Sequence, residues 1–355
     1  MRLFFDARWT RTDYYDGISR YGAGVIQGLL ENQADLTLII SDKKQLDMLP
    51  KCKYILVNHP VSWRELFIAR RLNEAGADVV FSPLQVMGFA GRKYKLILTL
   101  QDIIYYKHPK PPTFLAWYIR LTWWLFHKAR WPQRLLLNRA DFVSTVSQTS
   151  KKFITDWHLT DREVGVVYNA PPNTTEVFRS DEHNNDILYM GSFMPYKNVE
   201  TLIEGLKYTE KPFHLHLLSK INPDRQKQLQ SLVGEGVKVT FHNGVSDDEY
   251  QKLLANCFCL ASASQEEGFG LPIIEAQSSR TPVVCTDMDI FHEVAGEGAL
   301  YFDANDPADF AKQITKLTDE KLRNDLIEKG IDQAAKFTWE NSGKALLEYV
   351  EKLVD

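Results

Sequence analysis

The feature that most constrains this chain is a rhythm of short apolar runs alternating with amphipathic stretches, which breaks once and then restarts. Strands are predicted at Leu3–Ala7, Leu36–Ile40, Tyr54–Val57, Val79–Ser82, Leu96–Leu100, Phe142–Val146 and Val164–Tyr168, with amphipathic helices such as Ser19–Glu31 and Ser62–Ala75 between them. Alternation of this kind argues for an α/β fold, a parallel sheet covered by helices. The break falls at Asn169-Ala-Pro-Pro-Asn173 and the polar run Arg179–Asp186, residues that suit a domain boundary. A second set of strands follows at Ile187–Met190, His214–Leu218, Val237–Phe241, Cys257–Ala261, Val283–Thr286 and Ala299–Phe302. Helices dominate from Pro307, and the last, Thr338–Leu353, is amphipathic. The expected organisation is a Rossmann-like domain at 1–172, a second at 173–337, and a terminal helix at 338–355 packing back toward the first. With 355 residues each domain can bury its own core. Two such domains are expected to face one another across a cleft, with ligands at the carboxyl ends of the strands.

Several classes are disfavoured. The N-terminus meets Asp6 before an apolar segment develops, unlike a secretory signal, and no apolar run reaches the roughly 18–20 residues that span a bilayer. Cys52, Cys257, Cys259 and Cys285 fit neither a zinc knuckle nor a CxxC pair, which suits a reducing cytosol. Gly22-Ala-Gly24-Val-Ile-Gln-Gly28 has one residue too many for a dinucleotide fingerprint and lies mid-helix, so its glycines read as helix packing. No GxxxxGK[ST] phosphate loop is present.

The stretch Ser264-Gln-Glu-Glu-Gly-Phe-Gly-Leu-Pro-Ile-Ile-Glu275 carries the chemistry. It follows an apolar run, turns through Gly268 and Gly270, and opens a helix at Pro272, where proline suits the first turn. Two glycines there let the backbone approach a ligand and leave N–H groups that, with the helix dipole, suit a phosphate or sugar oxygen. Glu275 lies about one turn inside, placed to accept from sugar hydroxyls. At the mouth of the second domain's first strand, Gly191, Ser192 and Lys197 can cradle a diphosphate, the lysine acting as a point charge on a leaving group.

Lys197-Asn198 followed by Glu267-Gly-Phe-Gly-Leu-Pro-Ile-Ile-Glu275, an E-x7-E pair, resembles the retaining glycosyltransferases of family 4 (group 1), of GT-B fold. Thr281-Pro-Val-Val284, Phe291-His-Glu-Val294, Gly298-Ala-Leu-Tyr-Phe-Asp303 and Phe337-Thr-Trp339 extend the match, as do Val143-Ser-Thr-Val-Ser147 and Val167-Tyr-Asn169. Asp6-Ala-Arg8 and Gly17-Ile-Ser-Arg-Tyr21 are similar to a mannosyltransferase-rich branch. The resemblance implies that Glu275 binds the donor's ribose, that Gly268, Phe269, Gly270 and Leu271 meet sugar and diphosphate, and that Glu267 contacts the sugar near the reacting carbon. It places Lys197 and Ser192 on the phosphates and Gly17 beside the diphosphate or acceptor. Two departures stand out. Where the family commonly has His-Asp, this chain has Gln101-Asp102, and glutamine cannot carry a proton. Ser192 replaces an arginine often found near the lysine.

The implied reaction is transfer of a hexose with retention, mannose from GDP-mannose, to a lipid-linked glycan, with the departing diphosphate assisting deprotonation of the acceptor. A UDP-hexose donor, or a nucleotide-sugar-binding protein that has lost catalysis, is the alternative. No metal is expected, although Asp287-Met-Asp289 has the Asp-x-Asp form other glycosyltransferases use to hold a cation.

Charge is uneven. Residues 1–172 hold 24 Lys+Arg against 15 Asp+Glu, and the remainder 18 against 31, together the net −4. Ile103–Ala140 contains no acid, but has Lys107, Lys110, Arg120, Lys128, Arg130, Arg134 and Arg139 around the aromatic run Phe114–Phe126. Such a segment suits an anionic membrane surface, met through 107–139 and extended by Arg64, Arg70 and Arg71 near Trp63 and Phe67, rather than nucleic acid. The expected location is cytoplasmic, peripheral on the inner face of the membrane.

Overall fold

The computed structural model describes residues 1–107, 116–172 and 184–354. The boundary residues Asn173 and Arg179 therefore lie outside the described residues, as do Lys110 and Phe114 of the basic aromatic segment. The chain divides into two compact units, Met1–Ala170 with Phe337–Asp355, and Pro171–Lys336.

The first unit holds a seven-stranded parallel sheet. Its strands are β1 (Leu3–Asp6), β2 (Leu36–Ile40), β3 (Lys53–Leu56), β4 (Val79–Ser82), β5 (Lys95–Thr99), β6 (Phe142–Thr145) and β7 (Val164–Val166), in the order β3-β2-β1-β4-β5-β6-β7. The central strands are buried on both faces, which explains their continuous apolar runs. Phe4, Val80, Leu96 and Val143 pack with Ile68 and Leu72 of helix Ile68–Ala75. The expected helix Ser62–Ala75 is two pieces, a 3-10 turn at Trp63–Phe67 and the α-helix from Ile68. β3 is an edge strand, with Lys53, Tyr54 and Leu56 exposed.

Helix Gly17–Glu31 begins at Asp16, whose carboxylate accepts from the Ser19 N–H at 2.8 Å and satisfies a first-turn donor. Its glycine run contacts the C-terminal helix, Trp339–Val354. A Cβ on Gly24 would sit 2.2 Å from the Trp339 ring, and one on Gly28 would sit 1.8 Å from the Trp339 carbonyl oxygen. Gly343 returns the contact, 2.3 Å from the Gly28 backbone by the same construction. The two helices thus meet backbone to backbone. Ser342 Oγ donates to the Tyr168 carbonyl at 2.7 Å, and Tyr349 stacks on Phe142 at 4.7 Å between ring centroids.

The second unit holds a six-stranded parallel sheet. Its strands are β8 (Asp186–Tyr189), β9 (His214–Leu217), β10 (Lys238–Phe241), β11 (Cys259–Ser262), β12 (Val283–Thr286) and β13 (Ala299–Phe302), in the order β10-β9-β8-β11-β12-β13. Ile187, Leu215, Leu217, Cys259, Ala261 and Val284 share a core with Leu202, Phe310 and Ile314 from the covering helices. β11 starts two residues later than its apolar run. Cys257 instead caps helix Asp247–Asn256, its N–H bonded to the Leu253 carbonyl at 3.0 Å.

Candidate functional site

In the second unit, the loops leaving β8 and β11 bring an ammonium and a carboxylate together. The chain leaves β8 through Gly191 and Ser192, where the Tyr189 hydroxyl donates to the Ser192 carbonyl at 2.6 Å. Burial, then the charge of Glu267, holds the Tyr189 phenol well above its usual range, so it stays a donor. Lys197 ends a 3-10 turn, Pro195–Lys197, closed by Asn198 at φ 51°. The Asn198 amide donates to the Ala304 carbonyl at 2.7 Å, anchoring the base of the lysine.

The loop after β11 is tied to its neighbours. Gln265 N–H donates to the Tyr196 carbonyl at 2.8 Å, and Thr286 Oγ1 to the Ser264 carbonyl at 2.5 Å. Glu267 Oε1 receives two donors, Lys197 Nζ at 2.5 Å and Ser264 Oγ at 2.9 Å. The lysine and glutamate side chains are only 14% and 15% exposed, so their attraction is less screened than at an open surface. Gly270, at φ 102°, turns the chain into helix Leu271–Ser278, with Pro272 in its first turn. Positive φ suits glycine, and any side chain here would also press on the Phe291 ring at 3.0 Å. Glu275 is buried within this helix.

The sequence-predicted residues thus fall into two groups. Gly191, Ser192, Lys197, Glu267, Gly268, Phe269, Gly270, Leu271 and Glu275 belong to the second unit, with Lys197 and Glu267 in direct contact. Gly17, Gln101 and Asp102 belong to the first. Gly17 opens its helix with open space where a Cβ would stand. The Gln101 amide donates to the Pro83 carbonyl at 3.0 Å, and Asp102 Oδ1 accepts from the Ile104 N–H at 2.9 Å, capping the short helix Ile104–Lys107.

Sequence reasoning did not single out Ser264, Thr286 or Tyr189, which hold the loops; only the hydroxyl of Ser264, three residues before Glu267, offered a signal. The structure gives Asp6-Ala-Arg8 a physical role that its sequence alone does not show. Arg8 is buried, with Nε on Asp6 Oδ1 at 2.7 Å and Nη1 on Glu65 Oε2 at 2.6 Å. Burial alone would lower this guanidinium's pKa, but the charges and hydrogen bonds of Asp6 and Glu65 outweigh it and the pKa is raised. Gly88 N–H and the Asn58 amide complete the shell of Glu65, at 2.9 and 2.8 Å. The triad ties the end of β1 to the Trp63–Phe67 turn. Of the metal candidates, Asp287 pairs with His292 Nε2 at 2.7 Å, both largely exposed. Asp186, His214 and His216 form a tighter group, with one donor atom from each lying within 4.8 Å of the others.

A family model, Glycosyl transferases group 1, matches residues 172–333. The chain is 32% identical over 212 residues to the O-antigen chain mannosyltransferase RfbU of Salmonella typhimurium, covering 59% of each protein. It is also 32% identical over 161 residues to O-antigen chain mannosyltransferase B of Escherichia coli, covering 43% of this chain and 42% of that one. The chain thus spans less than two thirds of the length of these relatives. Among solved structures, a sucrose-phosphate synthase from Thermosynechococcus elongatus superposes with a TM-score of 0.74 at 16% identity, covering 99% of both chains. The group 1 glycosyl transferase model thus matches the second of the two domains, and the two parallel-sheet domains carry the GT-B fold.

Proposed function

We propose that this protein is a retaining glycosyltransferase that moves mannose from GDP-mannose to a lipid-linked glycan acceptor without a metal. The observation that carries the reading is the Lys197–Glu267 contact at 2.5 Å beside the start of helix Leu271–Ser278. Lys197 and the helix N-terminus supply positive charge where a diphosphate leaving group would gain negative charge. Glu267, fixed by Ser264 and Lys197, would accept from hydroxyls of the transferred sugar, and buried Glu275 from the ribose. Gln101 would orient by hydrogen bonding, since its amide cannot serve as a general acid or base near neutral pH. The mannosyltransferase names of RfbU and O-antigen chain mannosyltransferase B favour mannose.

The test is a thermal-shift panel of GDP, UDP and ADP sugars, followed by release of GDP from GDP-mannose with EDTA in excess. GDP-mannose should stabilise most, and turnover should survive chelation. Greater stabilisation by a UDP-hexose would reassign the donor. Stabilisation without slow donor hydrolysis would mark a binding protein.

The acceptor is inferred to reach the protein from an anionic membrane face. Trp117, Tyr118, Leu121 and Leu125 of helix Trp117–Lys128 are exposed, as are Trp131 and Leu135 of the next helix. Trp63, Leu66 and Phe67 are also exposed, with Arg64, Arg70 and Arg71 nearby in sequence. Amphipathic aromatics with lysine and arginine suit the headgroup region, each cation adding about 1 kcal/mol on an anionic leaflet. Among the described residues no helix is long and apolar enough to cross a membrane. The reading proposed from the exposed aromatics and cations is peripheral attachment at the inner, cytoplasmic face. Co-sedimentation with phosphatidylglycerol vesicles at low salt, lost when Trp117 and Trp131 become serine, would support it. A protein that stays in the supernatant would refute it.

A further inference from the structure

We propose that Asp186, His214 and His216 form a site for one transition-metal ion of the zinc type, apart from the sugar-transfer chemistry. Asp186 pairs in register with His214 across β8 and β9, and His216 follows two residues on, so all three side chains share one sheet face. His216 Nε2 lies 3.2 Å and His214 Nδ1 3.6 Å from Asp186 Oδ1. Donors on a tetrahedral ion with bonds of about 2.0–2.1 Å are spaced by about 3.3 Å, so both separations fit one ion.

His216 is 9% exposed, and its Nε2, although close to Asp186, is buried without a hydrogen bond. A buried nitrogen near a carboxylate but misaligned for hydrogen bonding suits a ligand atom better than a donor. The outward nitrogens are already occupied: His216 Nδ1 lies 2.9 Å from His242 Nε2, and His214 Nε2 lies 2.8 Å from Thr240 Oγ1. Those partners, on and just after β10, hold the rings so that Nε2 of His216 and Nδ1 of His214 face Asp186, as outer-shell partners orient ligands in metal sites. Two imidazoles and one carboxylate leave a fourth position for water and favour Zn2+ or Co2+ over Mg2+. Asp186 and His214 open their strands, whereas Lys197 and Glu267 follow the other ends of β8 and β11. The ion would clamp β8 to β9, with β10 held through His242 and Thr240.

The test is titration of the chelator-stripped full chain with Co2+ and Zn2+. Readouts are stoichiometry by equilibrium dialysis, the Co2+ visible spectrum and the melting temperature. Expected are one ion per chain, the intense visible bands of four-coordinate cobalt, and a higher melting temperature. D186N and H216Q, each checked for fold by far-ultraviolet circular dichroism, should weaken binding at least tenfold, whereas H292Q at the exposed pair should not. H214Q carries the same test should either of the first two fail to fold. No binding, a pale six-coordinate spectrum, or binding lost only in H292Q would overturn the assignment.

Discussion

Two alanine substitutions on one helix should change stability in opposite directions. In Gly17–Glu31, replacing an interior glycine by alanine favours the helix by about 0.8–1 kcal/mol from propensity alone. At Gly22 nothing opposes this, because the new methyl would meet Phe5 at 3.8 Å, an ordinary contact. At Gly28 it would lie 1.8 Å from the Trp339 carbonyl oxygen and 2.5 Å from its carbonyl carbon, so the helices must part by at least 1.2 Å to restore a 3.0 Å contact. Both opposing atoms are backbone, and no rotamer change relieves them. Overpacking of this kind costs about 1–3 kcal/mol, and the immovable partner puts Gly28 at the top of that range. Net, G28A should destabilise the first unit by about 2 kcal/mol and G22A stabilise it by about 0.5–1 kcal/mol. Near 190 residues, that is a fall of roughly 4–8 °C for G28A and a rise of roughly 1–4 °C for G22A. All eight tryptophans, Trp9, Trp63, Trp117, Trp123, Trp124, Trp131, Trp157 and Trp339, lie in the first unit, so tryptophan emission during urea or thermal unfolding reports on it alone. If G28A melts at or above the wild-type temperature, the backbone-to-backbone contact with Trp339 is wrong.

Other outcomes follow from the two ion clusters. For the proposed transfer, K197M should lower kcat by about 10²–10³-fold, the scale of losing one preorganised charge on the leaving group, with donor KM moving less than tenfold; a change confined to KM would show that Lys197 acts only in binding. E267Q keeps its acceptor for Ser264 but loses the charge facing Lys197, so K197M/E267Q should cost less than the two singles combined; simple additivity would mean the pair does not act as a unit. R8M leaves Asp6 and Glu65 side by side without their cation and should destabilise the first unit by about 3–5 kcal/mol, read by the same emission; a loss under 1 kcal/mol would show that the triad is not needed for stability.

How much of this was legible follows from the range of each interaction. The strands announced themselves because parallel strands buried on both faces read as unbroken apolar runs. Their ends drifted by one or two residues, because ladder hydrogen bonds and caps, as at Cys257, decide the ends. Within the helix expected from Ser62, the 3-10 turn at Trp63–Phe67 brings Glu65 to Arg8, a contact set by a residue just after β1. The glycines at 22, 24 and 28 were readable as packing, but Trp339 as the partner of Gly24 and Gly28 was not, since nothing local links positions more than 300 apart. The turn at Gly268 and Gly270 was visible because glycine and proline carry backbone meaning locally. The contact of Lys197 with Glu267, and the convergence of Asp186, His214 and His216, depend on sheet order and register, which periodicity does not specify.

The path of the chain has a consequence for biogenesis. Since Phe337–Asp355 completes the unit begun by Met1, the second domain is an insertion within the first, and the first is discontinuous. A ribosome emits every strand of the seven-stranded sheet well before the helix that seats against Gly24 and Gly28. The earlier-made domain must therefore wait, with Tyr21 and its neighbours uncovered, until the later-made one has emerged. Folding of the N-terminal half is in this sense gated by Phe337–Asp355, which is translated only after the whole of the second unit.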